Sequence, residues 1–160
     1  MSTPPRKQLT LVLILNEHEK KILLGMKKRG FGCGRWNGFG GKKQGNETIE
    51  KCAERETFEE CGLTMVKYTK VGHMIFEFVG DPVLLDVYVF RCTDYTGDIT
   101  ESEEMRPQWF TYSDVPFEHM WPDDHQWFPY MLKNQKFKAY YLFQGHDKIL
   151  KEELSLVDAF

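Results

Sequence analysis

The sequence predicts an α+β domain, an αβα sandwich in which two helices pack on a curved mixed β-sheet. The first observation behind this prediction is a series of short apolar and β-branched runs, which are typical of buried strands. The second is that two helical patterns interrupt these runs, one near the middle of the chain and one later. The third is the lack of an internal repeat or low-complexity linker, which predicts one domain over residues 1–160.

The N-terminal part of the chain contains a predicted hairpin followed by a glycine-rich loop. Leu9–Leu15 is apolar and β-branched, which indicates a buried strand. Asn16–Lys20 is a polar turn, and Ile22–Met26 is expected to form the partner strand. Half of the residues in Gly30–Gly41 are glycine, so we expect an irregular loop whose backbone closely approaches another group.

A central helix is expected over Thr48–Cys61. This segment lacks Gly and Pro and is rich in Glu, and Gly62 follows at the position where many helices end. The remaining predictions, in chain order, are strands at Val66–Val79 and Val83–Arg91, an acidic loop at Asp94–Glu104, a strand at Pro107–Tyr112, a helix at Asp123–Asn134, and a hairpin of Phe137–Phe143 and Ile149–Leu156.

One stripe of the central helix begins apolar and then carries three acids. At 100° per residue, the stripe that starts at Ile49 continues through Glu56, Glu59 and Glu60. Carboxylates at these spacings are neighbours and repel one another, so a cation should relieve them. Oxygen ligands in this number suit a hard divalent ion, Mg²⁺ before Mn²⁺. The alternative is a solvated acidic face paired with nearby basic side chains.

The loop before the helix extends this pattern into a longer motif. Gly41 is followed by five residues, Glu47, seven residues, and then Arg55-Glu56-Thr57-Phe58-Glu59-Glu60-Cys61-Gly62-Leu63. This order resembles the Nudix box, in which Gly-x5-Glu-x7-Arg-Glu is followed by aliphatic-x-Glu-Glu-x-Gly-aliphatic. Thr57 departs from the pattern where the family has an aliphatic residue, and we expect this change to affect packing rather than chemistry.

The resemblance implies a Nudix fold, with the motif forming a loop, a helix and a loop, and Mg²⁺ bridging a diphosphate. It implies that Glu56 is either a metal ligand or the general base, and that Glu60 and Arg55 complete the catalytic group. Arg55 would orient a carboxylate through a charge-assisted hydrogen bond. The implied metal ligands are the Gly40 carbonyl and Glu56, Glu59, Glu60 and Glu104. For Glu104 an ordinary solvated loop acid is the alternative.

Four further stretches resemble the animal MutT-type oxidised purine nucleoside triphosphate hydrolases: Gly25–Gly32, Arg35–Lys42, Glu104–Pro107 and Met120–Asp124. A purine needs a flat apolar slot and a few polar groups that read its edge, which aromatic rings and an amide can supply. The substrate-binding candidates are Thr10, Lys27, Phe31, Asn37, Phe76, Leu85, Met105, Trp121, Asp123, Asp124 and Trp127. Of these, Leu85 and Met105 would otherwise be ordinary core residues, and Trp127 is expected in the core of the second helix, where it could also close the pocket.

Asp123 and Asp124 are adjacent acids directly after Pro122. If both face the base, desolvation and mutual repulsion raise the pKa of one of them. The neutral acid would then donate a hydrogen bond while its ionised neighbour accepts one. Exchange of that proton would allow one pocket to accept oxidised guanine and oxidised adenine. The alternative, which the chain alone favours, is that these acids cap a helix N-terminus.

Charge and apolar patterning limit the partners. The 21 basic and 24 acidic residues give a net charge of −3, so a polymeric nucleic acid is not expected. The apolar run Leu11–Leu15 is too short to span a membrane. The four cysteines form no CxxC pair, which favours reduced thiols in an intracellular, cytoplasmic protein. We expect a monomer that binds a small nucleotide.

The expected reaction is Mg²⁺-dependent hydrolysis of 8-oxo-dGTP and 2-hydroxy-dATP to monophosphate and diphosphate. One alternative is a Nudix hydrolase of another substrate, such as a dinucleoside polyphosphate, a nucleotide sugar or a capped RNA. Another is a nucleotide-binding module without catalysis, which would be expected to have lost acids of the motif. A purely structural acidic helix would leave the glycine-rich loop unexplained.

Overall fold

The computed structural model describes residues 3–160. Its strands are β1 (Arg6–Asn16), β2 (Lys21–Lys27), β3 (Trp36–Asn37), β4 (Thr64–Phe78), β5 (Leu84–Thr96), β6 (Met105–Thr111), β7 (Phe137–Gln144) and β8 (Lys148–Leu156). The α-helices are α1 (Ile49–Cys61) and α2 (Asp124–Leu132), and 3₁₀ turns occur at Tyr112–Asp114 and Phe117–His119.

All eight strands form one mixed sheet. The strand order is β3-β2-β1-β5-β4-β7-β8, and β6 pairs with β2. The β1–β5 and β4–β7 pairs are parallel, whereas β1–β2, β4–β5 and β7–β8 are antiparallel. Register shifts interrupt the β4–β5 ladder between Met65 and Gly72, and such irregularities bend a strand.

The two helices cover opposite faces of this sheet. Along β1, Leu11 and Leu13 belong to the core cluster that contains Trp127 of α2. Val12 and Ile14 alternate with them and belong to the cluster that contains Ala53 of α1. This period-2 alternation places one core on each side of the sheet, so the predicted αβα sandwich is confirmed.

The boundaries of α1 follow from its capping residues. Thr48 adopts an extended backbone and its Oγ1 accepts a hydrogen bond from the Lys51 N–H at 3.1 Å. Gly62 has φ of 82°, and its N–H donates to the Phe58 carbonyl at 2.9 Å, which ends the helix. The predicted helix Thr48–Cys61 is therefore confirmed, with its first residue acting as the cap.

Three predictions of local structure need correction. The acidic loop does not begin at Asp94, because β5 continues to Thr96 through pairing with the start of β4. The two-residue strand β3 was not predicted, since it depends on its pairing with β2. The helix predicted at Asp123–Asn134 is shorter, with Asn134 in a left-handed conformation at φ of 57°.

All four cysteines are free thiols, as predicted. Within residues 3–160, none of the helices is both long enough and apolar enough to cross a membrane.

Candidate active site

The last two turns of α1 present three carboxylates with different surroundings. Glu60 is only 4% exposed, and the Glu56 side chain is largely buried. The Glu59 side chain is 55% exposed, at the edge of the same face. Burial is the main cause that raises the pKa of Glu60, to about 7, and burial also raises the pKa of Glu56. These two acids are therefore held in surroundings that disfavour negative charge.

Arg55 is hydrogen-bonded to three carboxylates. Its Nε and Nη2 donate to Glu47 at 3.0 and 2.8 Å, and its Nη1 donates to Glu56 at 3.1 Å and to Glu59 at 3.2 Å. The hydrogen bonds from Arg55 are the largest cause that lowers the pKa of Glu47, to about 2. The guanidinium thus aligns Glu56, as the sequence predicted for this arginine.

The glycine-rich loop packs directly against these acids. The Gly40 N–H donates to Glu60 Oε1 at 2.8 Å. Gly40 has φ of 153°, and a Cβ there would lie 2.0 Å from the Thr10 carbonyl oxygen. A Cβ on Gly41 would lie 2.7 Å from the Glu56 carboxyl group. Only glycine allows the loop backbone to approach the carboxylates this closely.

A basic wall faces the carboxylates. Lys27 Nζ donates to Glu104 Oε2 at 2.6 Å, and Arg29 Nε donates to Glu104 Oε1 at 2.9 Å. The hydrogen bond from Lys27 is the largest cause that lowers the pKa of Glu104. One groove, here called the carboxylate groove, is lined by Lys27, Gly40, Gly41, Glu56, Glu59, Glu60 and Glu104.

Every predicted metal-binding residue lines the carboxylate groove. Within residues 3–160, however, no three acidic, histidine or cysteine side chains converge closely enough to form a preformed metal cage. Glu56 and Glu104 are instead engaged by Arg55 and Lys27. The donor set, all oxygen and mostly anionic, still matches the ligands that Mg²⁺ prefers.

A second cavity of about 260 Å³ adjoins the groove, and we call it the base cavity. Its lining includes all but one of the predicted substrate-binding residues: Thr10, Lys27, Phe31, Asn37, Phe76, Leu85, Met105, Trp121, Asp123 and Asp124. The sequence analysis missed Leu9, Leu11, Met74, Phe78 and Val87. Leu9 and Leu11 alternate on β1, and Leu85 and Val87 alternate on β5, so strand periodicity would have found these lining residues.

Aromatic rings form the mouth of the base cavity. Phe31 stacks on Trp121 with ring centroids 5.0 Å apart, and Phe31 is 57% exposed. The Arg35 guanidinium lies 4.4 Å from the centre of the Trp121 ring and donates to the His146 carbonyl at 2.9 Å. The His146 ring packs on Phe31 at 4.9 Å. Arg35 and His146 had been assigned no role from the sequence.

The two adjacent aspartates lie at the inner end of the base cavity. Asp123 is 1% and Asp124 is 3% exposed. Burial is the main cause that raises the pKa of both, and the charge on Asp123 raises the pKa of Asp124 further. Asp123 makes no side-chain cap on α2. The capping role that the chain alone favoured for these acids is therefore wrong for Asp123, whose carboxylate is directed to Trp127.

Trp127 lies behind the cavity and not in its lining. The ring is fully buried and stacks on Phe137 at 5.6 Å. Its Nε1 donates to Asp123 Oδ2 at 2.9 Å. The core position expected for Trp127 is confirmed, and the pocket contact also expected for it is not found, because α2 turns its indole towards the core and the aspartate.

A carboxylate-bearing helix, a glycine loop packed on its acids and an adjoining aromatic cavity form a site that suits a ligand with both phosphates and a flat ring. The family follows from comparison with known proteins. A family model described as the NUDIX domain matches residues 5–131. The chain belongs to the Nudix family.

Two relatives match over nearly the whole chain. A zebrafish (Danio rerio) protein named oxidized purine nucleoside triphosphate hydrolase is 53% identical over 152 residues, which cover 95% of this chain and 96% of the relative. The mouse (Mus musculus) protein of the same name is 55% identical over 151 residues, covering 94% and 96%. A solved structure of a MutT protein from Bacillus halodurans has a TM-score of 0.82, with 21% identity and coverage of 92% and 97%, which supports the fold.

Proposed function

We propose that this protein hydrolyses oxidised purine nucleoside triphosphates, such as 8-oxo-dGTP and 2-hydroxy-dATP, to the monophosphate and diphosphate. The main support is that the base cavity and the carboxylate groove share Lys27, Gly40, Gly41 and Glu60. A purine in the aromatic cavity would therefore extend its phosphates into the groove. The names of the zebrafish and mouse relatives agree with this substrate class.

The carboxylate groove would hold the triphosphate with a divalent metal ion, proposed here as Mg²⁺ with Mn²⁺ as a substitute. The ligands would be Glu56, Glu59, Glu60, Glu104 and the Gly40 carbonyl. The bound ion would neutralise phosphate oxygens during cleavage. Lys27 supplies a further positive charge at the junction of the two cavities, 2.6 Å from Glu104. Ligation by Glu104 requires that it exchange this ion pair for the metal.

Two of the acids, Glu56 and Glu60, have a pKa raised by burial, which makes each a stronger base than an exposed carboxylate. Glu60 already accepts a hydrogen bond from the loop backbone, so we assign the action on water to Glu56. Arg55 fixes its orientation through a hydrogen bond of 3.1 Å. We assign Glu56 to proton abstraction or to metal ligation. Glu60, which accepts a hydrogen bond from the Gly40 N–H, would fix the loop relative to the metal.

The aspartate pair would read the edge of the base. One buried carboxyl group carries a proton and donates, while the other is ionised and accepts, and exchange of the proton would admit both oxidised bases. Asn37 offers an amide at the same cavity, and its Oδ1 accepts the Gly38 N–H at 2.9 Å. Phe31, Phe76 and Trp121 would supply stacking surface.

The proposed function is tested with a panel of substrates. The protein would be incubated with Mg²⁺ and 8-oxo-dGTP, 2-hydroxy-dATP, dGTP, dATP or a dinucleoside polyphosphate, and the products identified by chromatography. We expect monophosphate and diphosphate from the oxidised purines, at least tenfold faster than from dGTP or dATP. Glu60→Gln should abolish this activity. Cleavage of the dinucleoside alone would contradict the proposed substrate.

Single replacements test the aspartate pair with the same panel. Asp123→Asn and Asp124→Asn each fix one position as an amide that cannot ionise, so each should change the relative turnover of the two oxidised bases. Unchanged turnover on both bases in both variants would exclude the proton-exchange model.

Three further properties are proposed from composition and the free thiols. The net charge of −3 argues against a polymeric nucleic acid partner. A monomer in the cytoplasm follows from the single predicted domain and the free thiols. Size-exclusion chromatography with light scattering would measure the oligomeric state.

A further inference from the structure

Tyr141 lies directly behind the wall of the base cavity. It is fully buried on β7, in the same core cluster as Trp127 of α2. Its ring stacks on Phe76, with centroids 5.7 Å apart, and Phe76 lines the base cavity. The phenol ring therefore supports a substrate-contacting residue while having no exposure of its own.

Three buried polar atoms in this region have no hydrogen-bond partner within residues 3–160. They are the Tyr141 hydroxyl, Asp123 Oδ1 and Asp124 Oδ2. An isolated buried polar group is costly, so such groups are nearly always bonded to protein or to water. A hydroxyl that can donate and carboxylate oxygens that can accept are complementary, and because none of them is bonded directly to another, a buried water is the partner that can join them.

The surroundings of Tyr141 place its hydroxyl near the first turn of α2. In the β7–β8 ladder Tyr141 is opposite Glu152, and Glu152 accepts a hydrogen bond from Gln126 of α2 at 2.5 Å. Burial is the largest cause that raises the pKa of Tyr141, and the charges on Asp123, Glu152 and Asp124 add to it. The phenol is thus within electrostatic reach of both aspartates.

We propose that Tyr141 is a positioning residue for base recognition, whose hydroxyl donates to one buried water that in turn donates to Asp123 Oδ1. Because Trp127 already donates to Asp123 Oδ2, Asp123 then accepts two hydrogen bonds and is held as the ionised member of the pair. Asp124 consequently carries the proton. This inference rests on the proposed function, since it assigns a preferred proton arrangement to the residues that read the base.

The arrangement has a consequence for selectivity. Oxidised guanine and oxidised adenine present donors and acceptors in exchanged positions, so a fixed proton on Asp124 favours one of them. Tyr141→Phe removes the hydroxyl and keeps the stacked ring on Phe76. We expect the ratio of kcat/KM for 8-oxo-dGTP to that for 2-hydroxy-dATP to move at least fivefold towards unity, as expected for the loss of one hydrogen bond to a charged group.

Tyr140→Phe is the matched control. Tyr140 is the next residue on β7, and its hydroxyl donates to Glu77 Oε1 at 2.6 Å on the opposite face of the sheet. This variant loses a real hydrogen bond but should leave the kcat/KM ratio within twofold of the wild type. If Tyr141→Phe leaves the ratio as unchanged as Tyr140→Phe does, the inference is overturned.

A measurement without substrate separates this inference from the proposed function. Thermal unfolding of Tyr141→Phe, Asp123→Ala and the double variant forms a double-mutant cycle. We expect the shifts in Tm to be non-additive, because either single change breaks the same water-mediated link. Additive shifts would overturn the inference whatever the substrate is. If the wild type cleaves neither oxidised base, the proposed function alone fails, and the cycle still decides whether Tyr141 and Asp123 are coupled.

Discussion

At the scale of single residues, Arg55 carries much of the order of the carboxylate groove. Its planar guanidinium contacts Glu47, Glu56 and Glu59 at the same time, at 2.8 to 3.2 Å. A lysine ammonium is a compact charge and cannot reproduce this set of directional hydrogen bonds. Replacement by lysine therefore tests geometry while the positive charge is kept.

For Arg55→Lys we expect kcat to fall about 10- to 100-fold and the Mg²⁺ concentration for half-maximal rate to rise, the range found when partners of metal ligands are changed. Steady-state kinetics over a Mg²⁺ titration would measure both. Lys51→Arg is the control, because Lys51 lies on the same helix, is mostly exposed and faces Glu54 at 3.9 Å. Wild-type kinetics in Arg55→Lys would show that charge alone is sufficient.

The raised pKa of Asp123 makes a prediction about stability and pH. A carboxyl group whose pKa is raised on folding stabilises the native state below its ordinary pKa of about 4. That contribution is lost as the pH rises through the raised value. Asn at this position does not titrate, so the Tm of Asp123→Asn minus the Tm of the wild type should increase as the pH rises from 4 to 8. The increase should be about 3 °C for each unit by which the pKa is raised.

Thermal unfolding of both proteins across this pH range measures the effect of Asp123. Asp158→Asn, which removes an exposed carboxylate near the end of the chain, corrects for the general effect of net charge. If the Tm of Asp123→Asn relative to the wild type, after this correction, stays constant or falls as the pH rises, a raised pKa for Asp123 is contradicted.

At the scale of elements, α1 combines the acids of the carboxylate groove with a helix whose ends are fixed by local contacts. Its cap residues, Thr48 and Gly62, directly flank the helix. Its departure from the family motif, Thr57, is fully buried, and the Thr57 Oγ1 has no hydrogen-bond partner within residues 3–160. The effect on packing that the sequence predicted for Thr57 therefore has a physical cause, which is an unpaired hydroxyl in the core.

Thr57→Val should raise the stability by about 1 kcal/mol, because valine has the same shape and lacks the hydroxyl. This corresponds to an increase in Tm of about 2–4 °C for a chain of this size. Thr48→Val is a comparison variant with the opposite expected sign. It removes the cap hydrogen bond from the Lys51 N–H and should lower the stability by about 1 kcal/mol. A loss of stability in Thr57→Val would mean that its hydroxyl has a partner, such as a buried water.

At the scale of the whole molecule, one buried arginine joins the sheet to α2. Arg91 of β5 is 7% exposed. Its Nε donates to the Met131 carbonyl at 3.0 Å, and its Nη2 donates to the Leu132 carbonyl at 3.3 Å and to Glu17 at 2.5 Å. These carbonyls end α2, whose opposite end carries the aspartate pair. Arg91 therefore fixes the end of α2 that lies opposite the aspartate pair.

For Arg91→Met we expect a loss of about 1–3 kcal/mol in stability, because the carbonyls at the end of α2 lose their donor. KM for an oxidised purine should rise several-fold while kcat changes less, since in the proposed function α2 carries the base-binding acids and α1 the acids that act on the phosphates. Glu17→Gln keeps the bonds to the carbonyls and should have little effect. Equal losses of stability in Arg91→Met and Glu17→Gln would mean that the Arg91–Glu17 ion pair, and not the bonds to the carbonyls, stabilises this end of α2.

The sequence by itself determined the parts of this protein that depend on local spacing. The acids of α1 are three and four residues apart, so helical geometry alone brings Glu56, Glu59 and Glu60 together. The ends of α1 were predictable because Thr48 and Gly62 act on neighbouring backbone groups. The αβα class followed from the order of strands and helices, and the aromatic and acidic lining of the base cavity followed from the family resemblance.

Only the tertiary structure decided which side chains meet across the sheet. The parallel pairing of β1 with β5 unites residues about 80 positions apart, and local periodicity does not encode such pairing. For the same reason the sequence left open whether Trp127, which lies behind the cavity, also closes the pocket. Nor did it reveal the buried position of Tyr141 beneath α2. These contacts are set by the competition of apolar faces for burial and of buried polar atoms for partners, and both are properties of the packed chain.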